Sequence, residues 1–335
     1  MSAAGIPLDP PAPVYLVHGP EQLLRDEAVA AIVGAALDPS LADFNHDRFE
    51  AGQCRPEEVV AAAQMLPVMA ALRVVVVRGV ERFKAEALAP LAAYVADPSP
   101  STCLVLEGEK VDMRRALFVS VKKVGQVVEC KPPYDNQLVP WIMARVRGTG
   151  RSISPEAAQF MANYTGANLG ALAGELEKAA TYAGGGPIDL TAVSETVGAG
   201  RVHTVFELTD ALGDRRPAAA LKALATLLDS GEAPLRVQAI IVRHYRLLWR
   251  AHEARRAGAG DLARTLGVAP FLAKKLTAQA GRYGGDELAG CVRRFAQVDL
   301  DLKGGALSPR RALEDEVLAL TRRAPAGAGR ISSGR

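Results

Sequence analysis

Arg55-Pro56-Glu57-Glu58-Val59-Val60-Ala61-Ala62-Ala63-Gln64-Met65-Leu66-Pro67-Val68-Met69-Ala70-Ala71-Leu72-Arg73-Val74-Val75-Val76-Val77 carries two periodicities with a proline between them. Val59, Ala63 and Leu66 follow the i, i+4, i+7 spacing of one helix face, whereas Val74 to Val77 is an unbroken β-branched run of the kind buried inside a parallel sheet. The junction therefore lies at the rim of the sheet. Pro67 disfavours helix at Leu66 and has no backbone N–H, so Val68 and Met69 are expected on a turn, partly exposed and open to a partner. The alternative is that these two side chains fold back as ordinary core.

Working outward, 335 residues are too many for one ordinary domain and imply two or three. A hydrophobic fraction of 49% and a charged fraction of 23% are those of a globular protein with substantial cores. The formal net charge of +3 excludes a molecule that is basic all over, so any nucleic-acid contact has to be local. The apolar windows fall short of the ~20 residues a bilayer requires, and Met1 to Pro13 lacks the layout of a signal peptide. A cytoplasmic protein without membrane contact is expected. Cys54, Cys103, Cys130 and Cys291 have no C-x-x-C spacing, and His46 has no second histidine at ligand spacing, so no metal, disulfide framework or cofactor is expected.

Upstream, Pro13 to His18 reads as a strand, Gly19-Pro20 as a turn and Glu21 to about Ala36 as a helix, the context of a phosphate-binding loop. That loop needs G-x-x-x-x-G-K-[ST]; after Gly19 the corresponding residues here are Leu24, Arg25 and Asp26. Leu24 carries a Cβ where backbone should wrap phosphate, and Asp26 sets a carboxylate near the anion. Arg25 alone cannot restore the site. After Val77, Arg78-Gly79-Val80-Glu81 lacks the acidic pair that would hold magnesium. Short strands are expected at Phe44 to Glu50, Thr102 to Leu106 and Gln126 to Cys130, and helices at Lys84 to Ala96 and Asp112 to Val124. The alternation implies a parallel three-layer α/β domain built with right-handed crossovers.

From Asn136 strands disappear. Ser154-Pro155-Glu156 starts one helix, Asn168 a second that ends at Gly184-Gly185-Gly186, and Thr191 to Val197 is a third, together a small bundle. Gly198-Ala199-Gly200 reads as a linker into a larger helical domain with helices at Val205 to Leu212, Pro217 to Asp229, Pro234 to Arg256, Asp261 to Leu266, Pro270 to Gly281, Asp286 to Lys303 and Pro309 to Arg322. The Pro234 helix is the most basic: Arg236, Arg243 and Arg250 recur every seven residues with Arg246 nearby, so Arg243, Arg246 and Arg250 are candidates for contact with DNA phosphate or an acidic partner. A solvated face is the plainer reading. The tail from Ala324 is rich in Gly, Ser and Arg and is expected to be disordered.

Val14-Tyr15-Leu16-Val17-His18-Gly19 leading into Leu23-Leu24, and Leu66-Pro67 with two apolar residues before Arg73-Val74-Val75-Val76-Val77, resemble the delta subunit of the bacterial DNA polymerase III clamp loader. Trp141-Ile142, Ser154-Pro155-Glu156-Ala157, Glu175-Leu176-Glu177-Lys178, Phe206-Glu207-Leu208-Thr209-Asp210-Ala211 and Val298 to Gly305 continue the resemblance in order and spacing. It implies an AAA+-like domain with a degenerate P-loop over residues 1–140, a three-helix lid over 141–200, a helical collar over 201–323 and a tail over 324–335. The function implied is that of a subunit, without a catalytic site of its own, of the DNA-directed DNA polymerase III holoenzyme. Such a subunit opens the sliding clamp ring for loading onto primed DNA during replication, without hydrolysing ATP. The partners implied are the clamp, the ATPase and delta prime subunits of a hetero-pentamer, and primer-template DNA through the complex. Carried onto this chain, the clamp-binding wedge falls on Val68 and Met69, with Leu66 and Pro67 shaping the turn. Family members more often place Leu or Phe in the wedge and a polar or basic residue at Leu72. The smaller anchors here would bury less apolar area, at ~25 cal/mol per Å². Two other readings stay open: an active P-loop ATPase of the same superfamily, and a helical adaptor with the sheet as scaffold.

Overall fold

A computed structural model describes residues 6–197, 199–304 and 308–322. It forms two compact units divided between Pro132 and Pro133, just before the change of composition at Asn136.

Unit one is a five-stranded sheet. Its strands are β1 (Val14–His18), β2 (His46–Glu50), β3 (Arg73–Arg78), β4 (Thr102–Gly108) and β5 (Gln126–Glu129), ordered β2-β3-β4-β1-β5. Every pairing is parallel, for example Val75 opposite Leu104 and Leu16 opposite Leu106. The connecting helices are α1 (Gln22–Ala36), the four-residue α2 (Ala42–Asn45), α3 (Pro56–Gln64), α4 (Ala89–Ala96) and α5 (Ala116–Val124). Alternation of side chains across the pleat gives the sheet two apolar faces. Val14, Leu16, Val75, Val77, Leu104 and Leu106 lie in one cluster with Val59 and Ala63 of α3, Leu91 and Val95 of α4, and Phe118 and Val121 of α5. Tyr15, Val17, Val74, Val76 and Val105 are buried on the other side, where α1 contributes Leu24, Ala28, Val29 and Ile32. Cys103 and Cys130 are buried as expected, their thiols pushed up by burial to about 12 and about 11.

Two helix boundaries differ from the sequence reading. Lys84 to Ala96 is a 3-10 turn, Ala85–Leu88, followed by α4; Pro90 has no N–H to give and so is confined to the first turn of α4. The helix expected from Asp112 starts at Ala116, because the Asp112 carboxylate takes the Arg114 N–H at 3.2 Å and turns the chain there.

Unit two is built from helices, with one isolated parallel bridge between Ile153 and Ile188 among its described residues: α6 (Leu138–Gly148), α7 (Pro155–Thr165), α8 (Leu169–Tyr182), α9 (Leu190–Val197), α10 (Ala199–Gly213), α11 (Pro217–Asp229), α12 (Pro234–Arg256), α13 (Leu262–Leu266), α14 (Pro270–Ala280), α15 (Gly285–Leu302) and α16 (Pro309–Thr321). Ser154 and Asn168 cap α7 and α8 through bonds to the N–H of Ala157 at 3.1 Å and of Ala171 at 2.9 Å. The boundary set at residue 141 cuts α6, and Ala199 and Gly200, read as linker, already belong to α10. Gly198, Gly305 and the tail from Ala324 lie outside the described residues.

Candidate functional site: an apolar tip at the sheet rim

The segment between α3 and β3 projects apolar side chains into solvent. Leu66 is 78% exposed and Met69 88%, with Met65 and Val68 also exposed, so the alternative in which Val68 and Met69 join the core is excluded. Pro67 is half-buried and stops α3 short, as its missing N–H requires. Met69 sits at φ 53°, a left-handed conformation that costs a non-glycine residue about 1–2 kcal/mol. Something must hold the turn in place.

Both ends and the middle of the turn are anchored. At the α3 end, the Ala63 carbonyl accepts from the Thr102 hydroxyl at 2.8 Å and from the Tyr94 hydroxyl at 3.2 Å. At the β3 end, the buried Arg73 donates to the Phe44 carbonyl at 3.2 Å and pairs with Asp47. In the middle, the fully buried Asn45 side chain receives the Val68 N–H at 2.7 Å and donates to the Val68 carbonyl at 2.9 Å. Its amide also donates to the Leu41 carbonyl at 3.1 Å. Phe44, next in chain to Asn45, is 64% exposed and adds an aromatic ring to the apolar surface. Sequence reasoning located Leu66 to Met69 but missed Phe44, Met65 and Asn45. An aromatic beside an Asn ahead of a strand was the one available signal, and it was not specific. Each large apolar side chain that a partner takes out of water contributes about 1.5–3 kcal/mol. A tip of this composition is suited to inserting into an apolar pocket.

The turn from β1 to α1 is built differently. Gly19 has φ 133°, and a Cβ there would lie 2.3 Å from the Cys130 carbonyl oxygen, so glycine is required by a close backbone approach. Arg25 points inward, donating Nε to the Glu107 carboxylate at 2.5 Å and bonding the Gly19 carbonyl. Glu107 in turn accepts the Gly79 N–H at 3.3 Å. Leu24 is buried in the core. Asp26 pairs with Arg78 at 2.8 Å on the surface. The residues at the P-loop positions thus tie β1, β3 and β4 together with a buried ion pair.

The three α12 arginines are not one open face. Arg243 is buried, donating to the Asn163 side chain at 3.2 Å and to Asp135 at 3.3 Å, which corrects its reading as a surface contact. Arg246 is exposed, 3.7 Å from Asp135, and Arg250 donates to the Thr265 carbonyl at 2.8 Å. The heptad spacing reflects α12 packing within its own unit. No cluster of potential metal ligands and no helix able to cross a membrane occurs among the described residues.

Comparison with known proteins matches residues 15–131 to the family model for DNA polymerase III, delta subunit, and residues 202–320 to that for the DNA polymerase III delta subunit, C-terminal domain. A curated relative from Bacillus subtilis, DNA polymerase III subunit delta, is 26% identical over 93% of each chain. The solved structure of the Bacillus subtilis DNA clamp loader delta protein superposes with a TM-score of 0.55, covering 94% of this chain and 97% of that one.

Proposed function

The chain belongs to the DNA polymerase III delta-subunit family, and from that premise we propose that it binds the ring-shaped sliding clamp through the tip at Leu66, Pro67, Val68 and Met69 and opens the ring at one interface. The observation that carries this reading is an exposed apolar tip on a turn held from both ends and its middle. Opening follows from differential binding: a ligand shifts a two-state equilibrium only by its preference for one state, so the tip and α3 behind it must fit an opened interface better than a closed one.

ATP hydrolysis is left to sister subunits. Arg25 is committed to Glu107, Leu24 to the core and Asp26 to Arg78, so none of them is placed to hold a triphosphate. In the same proposal unit one is AAA+-like, α7 to α9 form the lid and the following helices the collar. Through these elements the chain joins ATPase subunits and delta prime in a hetero-pentamer that reaches primer-template DNA within the replisome.

Capture of the clamp ring on the immobilised chain tests this, comparing wild type with a Val68→Ser, Met69→Ser variant whose fold is checked by circular dichroism. Loss of capture by the folded variant is expected. Capture as efficient as wild type would reject the tip as the clamp-binding element.

A further inference from the structure

We propose that Asn45 is a positioning residue for the tip, setting the conformation in which Val68 and Met69 meet their partner; this rests on the reading of the tip as the clamp-binding surface. The two hydrogen bonds to Val68 hold the peptide groups on either side of its Cα, through its N–H at 2.7 Å and its carbonyl at 2.9 Å. A primary amide is the side chain that can do this, because it offers one acceptor and two donors in a plane; the second donor goes to the Leu41 carbonyl at 3.1 Å. Asn45 is fully buried and is itself held, since Arg73 donates to the carbonyl of the preceding residue, Phe44. The next residue along the tip is Met69, the most exposed large apolar side chain on the turn and one of two non-glycine residues at positive φ among the described residues.

The consequence is a tip ordered before it meets a partner. A loop of four exposed apolar residues without such a clasp would sample conformations that hide them, and the partner would have to order it on binding. Asn45 touches no partner itself in this arrangement; it acts through Val68. Replacement by aspartate keeps the acceptor for the Val68 N–H but sets a buried carboxylate oxygen against the Val68 and Leu41 carbonyls, so Asn45→Asp is expected to impair the tip at least as much as Asn45→Ala.

The test uses the full chain with the sliding clamp ring as probe. Hydrogen exchange of the Val68 amide reads the clasp without any partner: faster exchange in Asn45→Ala is expected, and unchanged exchange overturns the proposal. Clamp affinity is expected to fall about tenfold in Asn45→Ala and at least as far in Asn45→Asp, a loss of preorganisation and not of contact. A double-mutant cycle separates this from general weakening. In the Val68→Ser, Met69→Ser background, Asn45→Ala is expected to change the residual affinity no further, whereas an equal loss there would show a structural role only and overturn the proposal. Wild-type affinity in Asn45→Ala, with the double serine variant impaired, also overturns it. An unimpaired double serine variant would instead remove the clamp reading and leave the exchange measurement to judge the clasp.

Discussion

At the scale of single residues, the chain places ionisable groups where burial decides their charge. Glu316 on α16 is fully buried, bonded by the Gln238 amide at 2.9 Å, and burial pushes its carboxyl up to about 8. Between the ordinary carboxyl range, about 4.3, and that value the folded chain keeps the proton and the unfolded chain sheds it, so this group lowers stability as pH rises through the window and changes nothing above it. His244, buried on α12 and lowered to about 4, acts with the opposite pH dependence: the unfolded chain takes a proton below its usual pKa and the folded chain does not. Glu316→Gln removes the first effect. Urea melts at about pH 5 and about pH 8 should show the variant's advantage over wild type growing with pH, by up to about 1.4 kcal/mol per unit. An advantage independent of pH would mean that Glu316 titrates normally.

At the scale of elements, α12 shows how charge pattern misleads. Arg243, Arg246 and Arg250 share a spacing but not an environment: the first is buried on Asp135 and Asn163, the others reach the surface. Arg243→Ala is expected to cost about 1–3 kcal/mol of unfolding free energy, because it strands buried polar partners. Arg246→Ala, at an exposed pair, should cost less than about 1 kcal/mol. Urea midpoints of the two variants check the order, and a reversed order would return Arg243 to the surface. The elements legible in the sequence were those whose signal is local: the Val74 to Val77 strand from its β-branched run, the α7 and α8 starts from their caps, and the tip from Pro67 beside an apolar pair. What was not legible depends on distant partners. Asn45 lies 23 residues from Val68, and Arg25 lies 82 residues from Glu107, so no window of sequence holds both halves of either contact. The helix boundaries at Ala85 to Ala89 and at Ala116 were missed because a proline and an aspartate turn act within one or two residues of the periodic pattern.

At the scale of the whole molecule, a parallel sheet presents an apolar tip at one rim and is followed by a helical unit, and the fold is similar over 94% of the chain to that of the Bacillus subtilis clamp loader delta protein. We propose that this scaffold opens a ring without using nucleotide itself. The most direct measurement is the separation of two fluorophores placed across one interface of the clamp ring, recorded as the purified chain is added in the absence of ATP. The account predicts that the interface separates with wild type and stays closed with Val68→Ser, Met69→Ser. An interface that stays closed with wild type, or that opens only when the chain itself binds ATP, would contradict it.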